Sequence, residues 1–390
     1  MIRSLVVLMR KHNFLIFIPV LIGLFCWTLM TDAVETEPST LDYLELFAQC
    51  YELIQGRYLE DTDPWILAEG AVEGMLLQAN PYSAIVPLSG SSNLIPPFGP
   101  LETGLVIGYH EPMIRVIDVL KGSPAEKQGI TPGDTLIRIN DQVTPYLTID
   151  RAERMLTGNE GDTITLLLQN HLTGELNELT LQLEPFEREE SVMEFILQDS
   201  VRIIKIQGKA TISTSEKLYN ELKSSDKSLP TILDLRKFNR GDELLGVRIA
   251  DLFIADNETV LHTCSKDNRI LGNVITNDGH NLTGFPLAVI LDGTSAGPAE
   301  TCAAALHGAK RAIITGDTSF GKAVLRETHV LDSHYEISLV TGFFCNTEGD
   351  TLYLKGVKPD IPVILPVEED VDPYLATAIR QVVDSTQPSE

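Results

Sequence analysis

Residues 287–323 read LAVILDGTSAGPAETCAAALHGAKRAIITGDTSFGKA and decide the fold of this chain. The five apolar residues at 287–291 are typical of a strand that is buried on both faces. The alanine-rich stretch 298–309 begins with proline, which is favoured in the first turn of a helix, and a second apolar strand is predicted at 312–315. A strand, a helix and another strand in this order predict a parallel βαβ unit.

The same alternation continues on the N-terminal side of that stretch. Strands are predicted at 201–206 and 231–235, and helices at 213–222 and 243–253. The sequence therefore predicts an α/β layer over residues 188–370. Folds of this class place their sites beyond the carboxyl ends of the strands, so those ends are the positions to search for chemistry.

A serine and a lysine follow the two strands of the quoted stretch. Ser295 lies on the turn into the helix, where backbone N–H groups can stabilise a developing oxyanion. Lys322 lies in a loop beside Gly321, and a lysine can act as a general base where burial favours the neutral amine. The structural alternatives are an N-cap serine and a solvated lysine. A phosphate-binding loop is disfavoured because Gly-Lys is not followed by Ser or Thr.

A Ser-His-Asp triad is the other route to a reactive serine. The histidines that follow Ser295 in the sequence are His307, His329 and His334, and none of them lies in a recognisable motif. No Cys and His residues have the spacing of zinc ligands, and no GxGxxG follows a predicted strand. We therefore expect no metal and no cofactor.

Residues 101–187 show a different pattern, of short strands separated by turns. The strands are predicted at 103–109, 114–120, 135–140, 163–169 and 178–183, with one short helix at 150–156. The text GLVIGYHEPMIRVIDVLKGSPAEKQGITPGDTLIRIND resembles a protease-associated PDZ domain. In such domains a peptide C-terminus adds as a strand, and backbone amides hold its carboxylate. The resemblance implies that the loop at 102–106 does this here, with Gly104, Leu105, Val106 and Ile107 binding the peptide.

The N-terminal part predicts a membrane anchor. Residues 13–30 are uncharged and almost wholly apolar, which is long enough for a helix to cross a bilayer. Basic residues precede this span and acidic residues follow it, so the cationic flank should stay in the cytoplasm. We expect a single-pass protein of the inner membrane with its bulk in the periplasm or an equivalent space. A cleaved signal peptide is the alternative.

Two helices and a linker should follow the anchor. Ser39 and Asp42 have the spacing of a capping box for a first helix, and Asp63 precedes a second helix predicted at 64–79. Residues 80–100 are rich in Pro, Ser and Gly and predict a linker. The expected domains are thus an anchor at 1–34, a helical region with its linker at 35–100, the PDZ-like module at 101–187, the α/β core at 188–370, and a C-terminal helix and tail at 371–390.

Charge and cysteine content limit the partners and the crosslinks. The formal net charge of -25 would repel nucleic acid, so nucleic acid is not an expected partner. Cys26 lies in the apolar span, and the other four cysteines allow three pairings or four free thiols: Cys50, Cys264, Cys302 and Cys345. The sequence leaves the oligomeric state open.

The opening stretch is similar to the S41 family of carboxyl-terminal processing peptidases, which carry a serine in a GxSAxxAE-like turn and a lysine in TFGK about 27 residues later. Further similar segments are LELFAQCYELIQGRYLED, GAVEGMLLQANPYSAIV, LPTILDLRKFNRGDELL and KGVKPDIPV, so the resemblance covers about residues 40–370. It implies that Ser295 is the nucleophile and Lys322 the general base. It further implies that the amides of Ala296 and Gly241 form the oxyanion hole.

Three positions depart from the family pattern. Arg326 stands where the family usually has a glutamine that orients the lysine. A cation there either favours the neutral lysine by repulsion or removes the orienting acceptor. The Asn-Pro-Gly-Gly turn of the family is Asn-Arg-Gly-Asp at 239–242, and its Asp-Pro-His-Ser element is Asn-Pro-Tyr-Ser at 80–83. The second of these changes has no mechanistic interpretation at the level of sequence.

Two functions follow from the resemblance. The first is an extracytoplasmic serine endopeptidase that selects proteins through their C-terminal segments. The second is an impaired, S41-like pseudoprotease that acts as a PDZ-based binding or scaffold protein, which the departures at Arg326 and at 239–242 would favour. An α/β esterase or ligand carrier would leave the PDZ-like module unexplained.

Overall fold

A computed structural model of the chain describes residues 38–88, 92, 95, 97–187, 191–198, 200–277, 282–363 and 372–385. The chain divides into two compact units, and the boundary along the chain falls between Leu67 and Ala68. The predicted membrane span at 13–30 lies outside the described residues. Within the described ranges, no helix combines the length and the apolar character needed to cross a membrane.

The helices are α1 Thr40–Arg57, α2 Pro64–Ala79, α3 Pro124–Lys127, α4 Ile149–Met155, α5 Ile212–Leu222, α6 Glu243–Asp251, α7 Pro298–Gly308 and α8 Pro373–Asp384. The strands of the N-terminal half are β1 Ala84–Pro87, β2 Leu101–Glu102, β3 Leu105–His110, β4 Met113–Val119, β5 Thr135–Ile139, β6 Gln142–Val143, β7 Thr157–Gly158, β8 Thr163–Gln169, β9 Leu176–Gln182 and β10 Ser191–Gln198. The remaining strands are β11 Val201–Lys209, β12 Thr231–Asp234, β13 Phe238–Arg240, β14 Thr259–Cys264, β15 Ile270–Ile275, β16 Leu287–Leu291, β17 Ile313–Gly316, β18 Val324–Val330, β19 Tyr335–Cys345 and β20 Ile361–Pro362.

Helix α1 belongs to the first unit and begins at the predicted capping box. The backbone N–H of Ser39 donates to Asp42 Oδ2 at 2.7 Å, and that of Asp42 donates to Ser39 Oγ at 3.4 Å. These bonds satisfy N–H groups that the helix itself leaves without partners. The predicted apolar stripe of this helix is exposed at Leu44, Phe47 and Ile54.

The PDZ module has an antiparallel sheet with strand order β3-β4-β5-β8-β9, and β6 pairs with β5. Its core contains Ile107, Leu136 and Leu166, all fully buried, and helix α4 packs against it through Ile149 and Ala152. Among the described strands, β3 forms one edge of this sheet. The fold confirms the predicted β module and its short helix near 150–156, and it adds a second short helix, α3, that was not predicted.

A mostly parallel sheet forms the centre of the protease-like core, in the order β10-β11-β12-β16-β17-β20, and β13 pairs with β11. Strand β16 is buried on both of its faces. Leu287, Val289 and Leu291 contribute to the cluster with helices α5, α6 and α7, whereas Ala288 and Ile290 contribute to the cluster with α8. Side chains alternate between the faces of a strand, so a continuous apolar run fills both sides. The predicted α/β layer is confirmed.

A second sheet, with order β1-β19-β14-β15 and β18 beside β19, was not predicted. Its strand β1 lies within the region 80–100, so the prediction of a linker there is wrong for Ala84–Pro87. This strand pairs antiparallel with β19, with Ala84 opposite Ser338. Proline is tolerated on an edge strand, which is where Pro87 lies, and the Pro-rich surroundings concealed the short apolar run.

Candidate active site

Ser295 lies on the sharp turn between β16 and α7. Its Oγ donates to the backbone oxygen of Leu235 at 3.1 Å and accepts from the N–H of Asp292, also at 3.1 Å. The side chain is 0% exposed. The N-cap of α7 is Gly297, whose φ of 54° suits glycine, so the alternative that Ser295 caps the helix is wrong.

Lys322 lies on the loop between β17 and β18, next to the serine turn. The N–H of Phe320 donates to the backbone oxygen of Ser295 at 3.0 Å, which joins the two segments. The ammonium nitrogen lies 5.9 Å from the ring centre of Tyr82, within the range of a cation–π contact. In the described part of the chain, no hydrogen bond joins Ser295 Oγ to Lys322 Nζ. The structure thus brings the two segments together without joining the two functional groups.

Glu300 joins the serine segment to the lysine segment through hydrogen bonds. Its carboxylate accepts from the N–H of Gly297 and of Lys322, both at 2.8 Å, from the hydroxyl of Ser319 at 2.7 Å, and from the N–H of Gly321. The side chain is fully buried, and burial raises its pKa to about 7 while these donors oppose the rise. Sequence reasoning did not assign Glu300 a role, although it is the glutamate of the GxSAxxAE-like turn.

Charged side chains from three other elements surround the lysine. Arg326 of β18 is 36% exposed at its side chain and pairs with Glu243 of α6 at 3.5 Å. Burial raises the pKa of Glu243, and the charges of Arg326 and Lys322 oppose that rise. Burial likewise raises the pKa of Glu153 on α4, again opposed by Lys322 and Arg326. Arg326 therefore has an anionic partner and does not face Lys322 as an isolated cation.

The two amides predicted for the oxyanion hole lie near the serine turn. The N–H of Ala296 donates to the backbone oxygen of Phe238 at 3.4 Å, so this amide already has an internal acceptor. Gly241 lines the same cavity as Lys322, and its φ of 106° requires glycine. Asp242 is the N-cap of α6 and accepts from the N–H of Leu244 at 2.8 Å. The unusual aspartate of the turn thus has a structural role.

The PDZ sheet covers the serine turn. Val106 and Ile117 form a buried cluster with Ala296, and Phe320 packs against it. Polar contacts reinforce this cover, because Asp118 of β4 accepts from Asn239 Nδ2 at 3.2 Å and pairs with Lys237 at 3.6 Å. Ser295 is consequently shielded from solvent in this conformation.

A cavity of about 660 Å³ connects the PDZ module to the lysine side of the site. Leu105 and Val106 of the predicted peptide-binding strand line it, as do Lys322 and Arg326. Residue Gly104 has a φ of 84°, and a Cβ there would lie 2.1 Å from the Cβ of Ser123, so only glycine fits. Ile107 lies in the PDZ core instead.

Tyr82 links the PDZ module to the lysine, a role that could not be predicted from the sequence. It is 4% exposed, and its hydroxyl accepts from the N–H of Tyr109 on β3 at 2.8 Å. The neighbouring Pro81 accepts from the N–H of Ile149, at the start of α4, at 2.8 Å. Residues 80–83 therefore contact both strand β3 and the start of helix α4, and the ring of Tyr82 lies beside the amine of Lys322.

The three histidines considered for a triad make ion pairs of their own, and two of the described cysteines form a disulfide. The three histidines considered for a triad are exposed, and each faces an acidic residue: His307 with Asp360, His329 with Glu327 and His334 with Asp332. Cys264 and Cys345 form a disulfide, while Cys50 and Cys302 are free thiols. The disulfide joins β14 to β19 within the second sheet.

Three segments of the chain match models of known families. Residues 200–363 match the model of Peptidase family S41, residues 115–170 match a PDZ domain, and residues 28–86 match the N-terminal domain of the activating protease CtpB. The chain is 25% identical over 323 residues to the carboxy-terminal processing protease CtpA of Bacillus subtilis (strain 168), covering 82% of this chain and 68% of that protein. It is 25% identical over 356 residues to the carboxy-terminal-processing protease of Bartonella bacilliformis, covering 87% and 80%.

A solved structure has the same fold. The photosystem II D1 C-terminal processing protease superposes with a TM-score of 0.62 at 18% identity, covering 83% of this chain and 94% of that one. The match supports the arrangement of a PDZ module on a mixed α/β core.

Proposed function

Because the chain belongs to the carboxyl-terminal processing peptidases of family S41, which are serine-type peptidases, we propose that Ser295 and Lys322 form its catalytic dyad. One observation carries this proposal. Glu300 and the Phe320 to Ser295 hydrogen bond hold the two segments together at the carboxyl end of the parallel sheet. An α/β sheet presents its catalytic residues at this end.

The dyad would work by proton-coupled attack. Ser295 Oγ forms a bond to the carbonyl carbon while neutral Lys322 Nζ takes the hydroxyl proton, and the amides of Ala296 and Gly241 hold the oxyanion. The C–N bond then breaks, and Lys322 gives its proton to the leaving amine. Water hydrolyses the acyl ester in a second attack, with Lys322 taking the water proton and returning it to Ser295 Oγ.

Access to Ser295 requires movement of the PDZ sheet. The nucleophile is fully buried, the Ala296 amide bonds to Phe238, and the lysine amine lies over Tyr82. Entry of a peptide must therefore displace the contacts made by Val106, Ile117 and Asp118 before attack. These contacts describe a resting conformation of the proposed enzyme.

Substrate proteins would be selected through their C-terminal segments. Strand β3 is an edge of the PDZ sheet, and Leu105 and Val106 line the cavity that leads to Lys322. An extended peptide can add to such an edge through its main chain. The proposed apolar terminus would contact Leu101, Leu105 and Ile149, which line part of this cavity.

The location proposed is the extracytoplasmic face of the inner membrane, with the span at 13–30 as a single-pass anchor. Its apolar character and cationic leading flank support this assignment. The Cys264–Cys345 disulfide supports only the extracytoplasmic side of this assignment, because disulfides persist in oxidising compartments. Release of the protein from membranes by salt, with a mature chain that starts beyond residue 30, would contradict the anchor.

The test is cleavage of an unstructured protein with an apolar C-terminus by the full chain, compared with Ser295→Ala and Lys322→Ala. We expect cleavage only by the wild type, and slower cleavage when the substrate terminus is amidated. Equal behaviour of wild type and Ser295→Ala across a broad pH range would replace the enzyme with the scaffold function.

A further inference from the structure

Glu243 is a buried carboxylate in the site that the proposed dyad does not use. It is the first residue of α6 and is 3% exposed. Its Oε1 is buried and has no hydrogen-bond partner among the residues that the structure describes. A Cβ built on Gly297, two residues beyond Ser295, would lie 3.6 Å from this oxygen, so the oxygen faces the segment that follows the nucleophile.

The other oxygen of Glu243 has a cationic partner. Arg326, which stands where the family usually has the glutamine that orients the lysine, places its Nη2 3.5 Å from Oε2. The charged groups facing Glu243 are Arg326 on β18, Lys322 on the preceding loop and Asp242 at the start of its own helix. Glu153 on α4 is a further carboxylate facing the two cations.

Where the family usually has a neutral glutamine, this chain thus has the ion pair of Arg326 and Glu243. An isolated buried carboxylate would carry a large desolvation penalty, which an adjacent guanidinium offsets in part. A carboxylate oxygen without a partner is a costly feature of a folded protein unless another state of the molecule supplies its donor. The ammonium group that Lys322 gains on taking the serine proton is such a donor, and it lies among these same charges.

We propose that Glu243 and Arg326 are positioning residues that take over the role of the missing glutamine. In this arrangement, Glu243 Oε1 accepts a hydrogen bond from the Lys322 ammonium during attack, and Arg326 balances the charge of Glu243. The inference rests on the proposed Ser295 and Lys322 dyad. If the inference holds, Arg326 does not disable the site, because Arg326 and Glu243 together replace the glutamine.

The experiment compares pH profiles of kcat/KM for the full chain and the variants Glu243→Gln, Arg326→Gln and the double variant. Glu243→Gln should lower the maximal rate roughly tenfold and move the acid limb to lower pH by about one unit, because removing a negative charge favours the neutral amine. Arg326→Gln should move the acid limb in the opposite direction. The double variant should return the limb close to its wild-type position, since the two charges act on the same group.

Matched controls separate positioning from stability. Glu327→Gln changes an exposed carboxylate next to Arg326 and should leave both rate and limb unchanged. Thermal melting reports any loss of folding. If both single variants lose activity only in proportion to lost stability, with no opposed movement of the limb, Glu243 and Arg326 are a structural ion pair and the inference is wrong. If wild type and Ser295→Ala are equally active or inactive, the dyad itself fails, and the inference fails with it.

Discussion

Ser295 and Lys322 lie in surroundings of opposite kinds. The serine is held by backbone groups, those of Leu235 and Asp292, on a turn between a strand and a helix. The lysine is surrounded by side chains: the Tyr82 ring and the charges of Glu153 and Glu243 come from distant segments, and Arg326 comes from the strand that follows the lysine loop. We call the surroundings of Ser295 the serine half of the site and those of Lys322 the lysine half. The serine half therefore depends on local chain geometry. The lysine half depends on the balance of nearby charges, which single substitutions can change.

The largest effect should come from the nucleophile in the serine half. Ser295→Ala should lower proteolysis by at least about 10³-fold while changing stability by only about 1 kcal/mol, because the lost hydrogen bonds are few. Lys322→Ala should lose a similar factor, and the double variant no more than either, since both groups act in one step. Rates measured with an unstructured protein, alongside thermal melts, test this. If the losses of the two single variants multiplied in the double variant, Ser295 and Lys322 would not act in the same step.

Glu300→Gln should break the connection between the two halves. The amide nitrogen of glutamine would face backbone N–H donors that now point at a carboxylate oxygen. Leaving such buried donors without acceptors costs roughly 2–4 kcal/mol in total. We expect a lower free energy of unfolding in urea and a large loss of activity. Glu327→Gln, an exposed change nearby, is the control, and a Glu300→Gln chain as stable as the control would show that Glu300 does not join the segments.

The pH dependence of stability gives a second view of the same residue. The folded pKa of Glu300, about 7, exceeds the ordinary value of 4.5, so the folded chain holds this proton where the unfolded chain has lost it. Its contribution to stability is full below pH 4.5 and falls as pH rises toward 7, by up to about 3 kcal/mol. Urea titrations across this range should show that decline. Glu300→Gln should flatten it, and an unchanged slope would assign the decline to other groups.

The contrast between the halves also explains what the sequence could predict. Strand β16 and helix α7 were predicted almost to the residue because a five-residue apolar run and an N-terminal proline are local signals. Ser295 and Lys322 followed from the same stretch. The family resemblance then supplied their roles, which remain predictions.

Local sequence patterns could not predict the contacts between distant segments. Nothing in the text near Glu243 shows that its side chain meets Arg326, 83 positions further along the chain. The hydroxyl of Tyr82 meets the N–H of Tyr109 across 27 positions, which is why residues 80–83 had no interpretation. The strands β18 and β19 were missed because most residues of β18 are exposed and the burial of β19 does not alternate along the strand.

Asp118→Ala should weaken the cover over the serine half. The change removes the acceptor of Asn239 Nδ2 and the partner of Lys237, both of which hold the PDZ sheet on the core. A hydrogen bond to a charged group contributes about 1.5–3 kcal/mol, so basal cleavage should rise roughly tenfold. Glu178→Ala, which removes an exposed ion pair with Arg138 within the PDZ module, is the control. Equal rates for both variants and wild type would mean that access to Ser295 is not limited by this contact.

Tyr82→Phe should have the smallest effect and should fall on peptide binding. The hydroxyl of Tyr82 now accepts from the N–H of Tyr109 at the edge of β3, where an added peptide strand would pair. Removing the hydroxyl frees this donor for the peptide while keeping the ring beside Lys322. A peptide ending in a free apolar carboxylate should therefore bind the inactive Ser295→Ala chain roughly threefold to tenfold more tightly, as expected for about 1 kcal/mol. Calorimetry on that chain measures binding without cleavage.

Tyr335→Phe, which removes a buried hydroxyl bonded to Glu69, is the matched control and should bind as the parent does. Weaker binding by Tyr82→Phe would instead mean that the hydroxyl holds β3 in the shape that receives the peptide.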